Sequence, residues 1–426
     1  MGMKILVVGK GGRECAIVRK LAESLRVQRV FAAPGNPGMV PWAENVAIDP
    51  FDFDTLARFA ENTGSYTLVG PEGPLAAGIV DFFRSRSLPI FGPTRDAAKI
   101  ESSKIFAKKL MRRMGVLTSN FCVFPNPDSA CAHMLLYGLP RVIKADGLAA
   151  GRGVIECRTK DEVARAFERM KSDSVFCSSQ GILVEEFLEG REASMHAITD
   201  EVTVEVFPFF ARDEKKRGPG KGSPNTGGMG VYAPAWETTC DQQYFLKRNV
   251  VEAILDGMRK TGSPFTGCLY PGLILTDKGV RALEYNARFG DPETQAYLLL
   301  LESDLAEIIV NTIEGTLDRV VPFRWRRGYA VCVVLAAERY PDVPSKDAPI
   351  SGIREAEALS PNIAVYHAGT TWTKDYKLVT NGGRILNVVA YGETLEEARA
   401  LTYEAVKYIQ FEGKYYRDDI AKQTGQ

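Results

Sequence analysis

The chain has 426 residues, 45% hydrophobic and 25% charged, with 39 glycines; that is length for three or four compact units with sizeable cores and excludes a largely disordered protein. Lysine plus arginine and aspartate plus glutamate both number 53, so there is no global excess of positive charge to hold a nucleic-acid backbone, and an anionic ligand needs a local site. No apolar run approaches the ~18 residues of a membrane span.

Along the first hundred residues short apolar runs alternate with helical patterns: KILVV, a helix from about Arg13 to Leu25, RVFAA, a helix around Phe53 to Phe59, YTLVG, then a helix from Pro74. Ile17, Leu21 and Leu25, recurring every four residues, carry the first helix, and the alternation predicts βαβ units with a mostly parallel sheet. Glycine turns follow the strands at 9 to 12, 34 to 38 and 70 to 73, and in an open α/β sheet a ligand sits on such carboxyl-terminal turns. From Ser102, SSKIFAKKLMRRMG reads as one basic amphipathic helix, and the strand RVIKA runs into GLAAGRG. The stretch 212 to 230 is too rich in glycine, lysine and arginine to pack as a core and is expected as a surface loop, mobile until a ligand arrives. YAVCVVLAA, AVYHAG and ILNVVA read as strands of a last unit, closed by a helix at 395 to 409 with a capping box from Thr394 and Glu397.

Three histidines, His133, His196 and His367, lie far apart without partners at ligand spacing, which speaks against a zinc site or a histidine triad. Eight scattered cysteines lack a C-x-x-C pair and nothing at the start resembles a signal peptide, so reduced thiols in the cytoplasm are expected. Leu6 stands where an N-myristoylation motif wants Ser or Thr.

The turn VVGKGGREC resembles a dinucleotide fingerprint, but Glu14 holds the third glycine position and the second strand ends in Ala33, Pro34, Gly35 without an acid for a ribose hydroxyl. Arg13 beside three glycines favours a phosphorylated small molecule at a helix N-terminus; a turn serving chain geometry alone is the plain alternative. Lys144 on a strand followed by the glycine turn 146 to 153 suits phosphate oxygens, although no P-loop spacing is present and an ordinary hairpin is an equal reading in isolation. In VEEFL, 184 to 188, the backbone can read an adenine edge and Glu192 a ribose, against solvated surface acids. The most specific run is 283 to 295, LEYNARFGDPETQ: Glu284 and Asn286 share a strand face, two hard oxygens for magnesium, with Leu283 and Tyr285 facing away. Arg288 joins that face if the strand continues.

Together these blocks resemble the phosphoribosylamine–glycine ligases of the ATP-grasp superfamily over essentially the whole chain, through GKGGRECA (9 to 16), APGNPG (33 to 38), VGPEGPLAAG (69 to 78), ESSKIFAK (101 to 108), IKADGLAAGRGV (143 to 154), VEEFLEGREAS (184 to 194), PNTGGMG (224 to 230), EYNARFGDPETQ (284 to 295) and NGGRILNV (381 to 388). The resemblance implies an α/β and α+β multidomain chain: an N-terminal parallel-sheet, Rossmann-like substrate domain (1–102), an ATP-grasp unit in two parts (103–190 and 191–322) and a small mixed C-terminal domain (323–426). It implies ATP-dependent joining of glycine to 5-phosphoribosylamine in purine synthesis, with magnesium or manganese on Glu284 and Asn286, in a monomer or weak dimer without nucleic-acid or membrane partners. By the same resemblance Lys104, Lys144, Gly151, Gly153, Glu185, Glu186, Phe187 and Glu192 serve ATP. Gly11, Gly12, Arg13, Asn36, Glu72, Asp213, Asn225, Arg288, Asp291 and Glu293 lie near the substrates, with Lys144, Arg288 and Asp213 catalytic.

Three departures touch the substrate side: Cys15 where the family has His, Lys10 for a common Asn, and RDEKKR at 212 to 217 for QDHKR. The chemistry expected is attack of the glycine carboxylate on the γ-phosphate, then displacement of phosphate by the amine. The loop 218 to 230, with Lys221, is expected to close over the site. Rivals at this stage are another ATP-grasp ligase or carboxylase, an inactive nucleotide-binding protein and a nicotinamide oxidoreductase.

Overall fold

The computed structural model describes residues 2–149, 153–177, 179–220, 222–235, 238–342 and 346–422. Strands β1 (Met3–Gly9), β2 (Val27–Pro34), β3 (Glu44–Asn45), β4 (Tyr66–Val69) and β5 (Ile90–Phe91) form an all-parallel sheet in the order β3-β2-β1-β4-β5. Parallel neighbours require crossovers, which the helices Gly12–Ala22, Phe53–Thr63, Glu72–Ala77 and Ile79–Ser85 supply. Covered on both faces, Ile5, Leu6, Val7 and Val8 are all buried, which explains the unbroken apolar run. The strand order reverses between β1 and β4, so the turns after them open on one crevice. The first helix stops at Ala22, three residues short of expectation: Ser24 donates to Asp304 Oδ2 at 2.6 Å and Leu25 is left fully exposed.

Strands β6 (Phe121–Phe124), β7 (Arg141–Ala145), β8 (Val154–Cys157) and β9 (Ile182–Glu186) make an antiparallel sheet in the order β6-β9-β7-β8. The helices Pro127–Tyr137 and Lys160–Ser172 back it and bury Met134, Val163 and Met170 against Ile143 and Val184. The helix expected from Ser102 runs over Lys104–Arg113, starting two residues later because Ser103 takes extended backbone and caps it, accepting the Phe106 N–H at 3.1 Å, and a separate helix, Arg95–Ser102, precedes it. Both helices pack with the next lobe, Ile100, Leu110 and Met111 joining Leu269 and Tyr285.

That lobe is built on β10 (Arg191–Ser194), β11 (Ala197–Asp200) and β12 (Val204–Val206). The chain then leaves through β13 (Arg212–Asp213) and β14 (Gly230–Ala233), and returns as the long pair β15 (Thr266–Thr276) and β16 (Gly279–Asn286). The order is β10-β15-β11-β12 with β16 on β15. The last unit holds β17 (Tyr329–Ala337), β18 (Lys346–Pro349), β19 (Ile363–His367), β20 (Thr370–Trp372), β21 (Leu378–Asn381), β22 (Arg384–Gly392) and β23 (Lys414–Tyr415). Its main sheet runs β13-β14-β17-β22-β19, with β23 on β17 and a small sheet β18-β21-β20 beside it.

Two strands from the stretch expected as part of the ATP-grasp unit therefore complete the C-terminal sheet. The helix Leu395–Tyr408 begins on the capping box read from the sequence. One continuous core joins Ile17 and Leu21 of the first unit to Tyr297 and Ile309 of the middle and to Tyr366 and Val389 of the last. The units are thus welded around a common junction.

Candidate active site

One open cavity of about 1320 Å³ lies at that junction, walled by the crevice of the parallel sheet, both lobes and the C-terminal sheet. The half that the sequence leads one to expect at a nucleotide is lined by Lys104, Lys144, Gly153, Glu186, Phe187, Glu192, Glu284 and Asn286. Lys144 Nζ, supplied by β7, lies 2.9 Å from Glu185 Oε1 on the neighbouring strand β9. Glu185 Oε2 lies 2.9 Å from Lys108 Nζ and accepts from Ser119 Oγ at 2.6 Å. The Glu185 side chain is therefore enclosed between two lysines, and Glu185, Glu186 and Phe187 all border the cavity, with Leu188 beside them. Arg158 stacks on Phe187, 4.1 Å from the ring centre. Lys104 Nζ donates to Gly147 O at 2.7 Å, tying its helix to the glycine turn; Gly151, expected in that turn, and Lys221 lie outside the described residues.

Burial pulls the Lys144 ammonium down, but Glu185 and Glu284 outweigh it and hold its pKa above the ordinary lysine value. Burial lowers Lys108 to about 8 in spite of Glu185. Burial raises Glu185 while Lys144 and Lys108 pull harder, leaving it below the usual carboxylate value. Lys108 and Lys215 were not singled out in the sequence. Lys215 follows Asp213 at period two, the one local signal that both share a face. Its Nζ stands 3.5 Å from Glu284 Oε1 and 3.6 Å from Glu192 Oε2.

Strand β16 ends at Asn286, and opposite it a register shift between Gly272 and Leu273 leaves Leu283 as an extra residue. Leu283, expected to face away, consequently reaches the cavity with Glu284, while Tyr285 turns inward and donates to Val250 O at 2.8 Å. Burial raises Glu284, yet Lys215, Lys144 and Lys104 bring it down to about 2, so the carboxylate is ionised. The Asn286 amide nitrogen donates to Tyr270 O at 3.4 Å, which leaves Oδ1 for another partner. One charged and one neutral hard oxygen beside three lysines suit magnesium, which completes its shell with phosphate and water. Among the described residues no cluster of three His, Cys, Asp or Glu could hold a metal unaided.

In the other half, Glu14 answers the dinucleotide question. Its Oε2 accepts the Gly11 N–H at 2.7 Å, and the carboxylate lies where a Cβ at Gly9 or Gly70 would fall. The helix N-terminus that would meet a pyrophosphate is thus occupied by the chain's own anion. Arg13 is held by Glu14 and donates to Phe289 O at 3.1 Å. Arg288, beyond the end of β16 and off the expected strand face, points back to the first unit: Nε is 3.1 Å from Glu72 Oε2 and Nη2 is 2.9 Å from Glu101 Oε1. Chiefly through Arg288, Glu72 is lowered to about 2. Burial lowers Arg288, and Glu101 and Glu72 together raise it further than that.

Asp291 pairs with Arg384 of β22 at 2.8 Å, and the same guanidinium donates to Gly227 O at 2.6 Å. Glu293 is buried and accepts from Ser194 Oγ at 2.7 Å and from Tyr270. Asp213 Oδ1 is buried without a hydrogen-bond partner; burial, with Glu293 adding, holds its pKa well above the usual value.

Two expected substrate residues lie off the cavity. Asn36 donates to Lys10 O at 2.9 Å and His367 O at 2.8 Å and accepts from Gly38 at 2.9 Å, so its amide is fully used inside the fold. Gly12 leaves no room for a Cβ against Asn387 of β22. Cys15 is also buried in the core, its thiol pushed up to about 12 by burial, so this departure from the family pattern misses the cavity. In the stretch expected as a mobile loop, the described residues 212–220 and 222–230 pair as a hairpin held to the last unit, with Tyr415 donating to Arg217 O at 2.7 Å and Arg417 to Lys216 O at 3.1 Å. Asn225 on it lines the cavity.

Three family models match in series: the N domain of phosphoribosylglycinamide synthetase over residues 3–101, its ATP-grasp (A) domain over 102–294 and its C domain over 330–423. The phosphoribosylamine–glycine ligase of Ralstonia nicotianae is 45% identical over 98% of this chain and 98% of its own length. The human trifunctional purine biosynthetic protein adenosine-3 is 42% identical over 99% of the chain, which spans only 42% of that longer protein. A solved phosphoribosylamine–glycine ligase from Thermotoga maritima matches with a TM-score of 0.84 and 34% identity, covering 98% of this chain and 100% of that one. The biotin carboxylase domain of the Hydrogenobacter thermophilus 2-oxoglutarate carboxylase, solved with MgADP, shares the fold at a TM-score of 0.69 and 17% identity over 97% and 92%.

Proposed function

The chain belongs to the phosphoribosylglycinamide synthetase family, and from that membership we propose how its residues join glycine to 5-phosphoribosylamine at the expense of ATP. The reaction is a carbon–nitrogen ligation of purine biosynthesis, giving glycinamide ribonucleotide, ADP and phosphate. The observation that carries the residue assignment is one continuous cavity, with lysines around Glu284 and Asn286 in one half and paired arginines and carboxylates in the other.

A carboxylate is a poor electrophile toward an amine. In the first step a glycine carboxylate oxygen attacks the γ-phosphorus, the bond to the β,γ-bridging oxygen breaks, and ADP leaves with that electron pair. Lys144 and Lys215 stabilise charge on the transferring group, and Lys104 orders the glycine turn beside it. One such contact is typically worth about 3 kcal/mol. When bound, magnesium or manganese would be held by Glu284 and Asn286 and would supply further positive charge at the β- and γ-phosphates.

In the second step the amine nitrogen adds to the carbonyl carbon of glycyl phosphate, loses a proton and expels phosphate. A free amine lone pair needs positioning more than deprotonation, and the buried His196, lowered by burial to about 3, faces Gly290 N–H rather than acting as a base. Arg13, Glu72 and Arg288 are assigned to phosphoribosylamine. Asp213, Asp291 and Glu293, with Asn225, are assigned to the glycine end, where the unpartnered Asp213 oxygen suits an ammonium group. The hairpin 212 to 230 roofs the site and keeps water from the acyl phosphate.

All eight cysteines are free, which supports the cytoplasm; among the described residues no helix is long and apolar enough to cross a membrane. The test is ADP release measured with each substrate omitted. It is expected to need both glycine and freshly generated phosphoribosylamine, and equal release with another acid and amine would overturn the substrate assignment.

A further inference from the structure

Glu101 closes the helix Arg95–Ser102 in the first unit, and its side chain is only 9% exposed. It holds two consecutive residues of the segment after β16. One oxygen accepts the Ala287 N–H at 2.7 Å, and the other lies 2.9 Å from Arg288 Nη2. Strand β16 ends at Asn286, so the Ala287 N–H is the first donor past its ladder. Ala287 is buried, so this donor has no water to turn to. The peptide carrying that N–H is the one that joins Asn286 to Ala287, and fixing it fixes the direction in which Asn286 leaves the strand.

We infer that Glu101 is a positioning residue that sets the proposed metal ligand Asn286 with one oxygen and the acceptor-side Arg288 with the other. The two contacts do different work. Both glutamates border the cavity, but Glu72, the other partner of Arg288, is 31% exposed and free to meet an incoming hydroxyl or amine, whereas both oxygens of Glu101 are engaged. Glu101 keeps the guanidinium in place when Glu72 engages substrate. Because the same carboxylate ends the metal strand, it joins the two halves of the cavity through one side chain. This inference rests on the assignment of phosphoribosylamine to the Arg13, Glu72 and Arg288 side.

The variants Glu101→Gln and Glu101→Ala separate the contacts. Glutamine retains an acceptor for Ala287 but removes the charge facing Arg288. It is expected to raise KM for phosphoribosylamine at least tenfold, with KM for ATP and the manganese affinity of the ADP complex within twofold of wild type. Alanine removes both contacts and is expected to weaken manganese binding at least fivefold as well. That binding is read by electron paramagnetic resonance of Mn2+ titrated into the ADP complex, independently of turnover, and thermal unfolding checks that each variant is folded. Parameters within twofold of wild type in both variants, or a fall in kcat alone with every KM and the manganese affinity unchanged, would overturn the inference. Wild-type turnover that does not depend on phosphoribosylamine would instead overturn the substrate assignment on which it rests.

Discussion

The two halves of the cavity are built by different means. In the nucleotide half, Lys144, Glu185 and Glu284 stand on strands of antiparallel sheets, and each side chain's direction follows from its own backbone. In the acceptor half the groups are held across units: Arg288 by Glu72 and Glu101, Asp291 by Arg384, and Arg13 by the Phe289 carbonyl. Strand geometry aims the charges of the first, with Lys108 and Lys215 brought to them from other elements; contacts between units place those of the second. Substitutions in the nucleotide half should therefore cost more turnover than stability, whereas substitutions in the acceptor half should disturb both alike.

The largest effect expected is from Glu284→Ala, with loss of one charged contact worth about 3 to 4 kcal/mol, hence kcat down roughly 10²- to 10³-fold. The thermal midpoint should fall too, but by less than the turnover, because Lys215, Lys144 and Lys104 lose the carboxylate that they face. Lys144→Ala leaves Glu185, buried, with Lys108 alone, so activity and midpoint should again both fall. On the acceptor side, Arg384→Ala strands the Asp291 carboxylate and should cost roughly 3 kcal/mol of stability by denaturant titration. Normal stability with impaired turnover would show that the acceptor half is no more tightly cross-braced than the nucleotide half.

Acid should reach both halves together. Glu284 and Glu72 are each lowered from 4.5 to about 2. A depressed carboxylate contributes stability that is present above pH 4.5 and is lost as pH falls from there toward 2. The thermal midpoint should accordingly drop across that window, and Glu72→Gln with Glu284→Gln should flatten the curve. The smallest effect is expected at Cys15→Ala: turnover within twofold by steady-state assay and a stability loss of about 1 kcal/mol, because the thiol packs in the core.

The same contrast explains what could be read from the sequence. The strand RVIKA, the alternation of Glu284 and Asn286 and the capping box at Thr394 are local patterns, and all three stand in the structure where their periods put them. Glu101 and Arg384 stood inside quoted blocks but were given no role, because their partners lie 187 and 93 residues away, a separation no period encodes. Asn36, Gly12 and Cys15 were drawn toward the substrate by their neighbours in glycine-rich blocks. Such a block does not say which of its residues faces a ligand and which faces another unit; here Asn36 meets the His367 carbonyl and Gly12 meets Asn387. Leu283 was misplaced because it is the extra residue of a bulge in its own strand, which shows only in the pairing with β15.

The claim that both halves serve one acyl phosphate is tested most directly with glycine carrying 18O in its carboxylate. If the carboxylate attacks the γ-phosphorus, one 18O passes from glycine to each inorganic phosphate released, in step with glycinamide ribonucleotide formed. Phosphate free of the label, from an enzyme turning over both substrates, would contradict it.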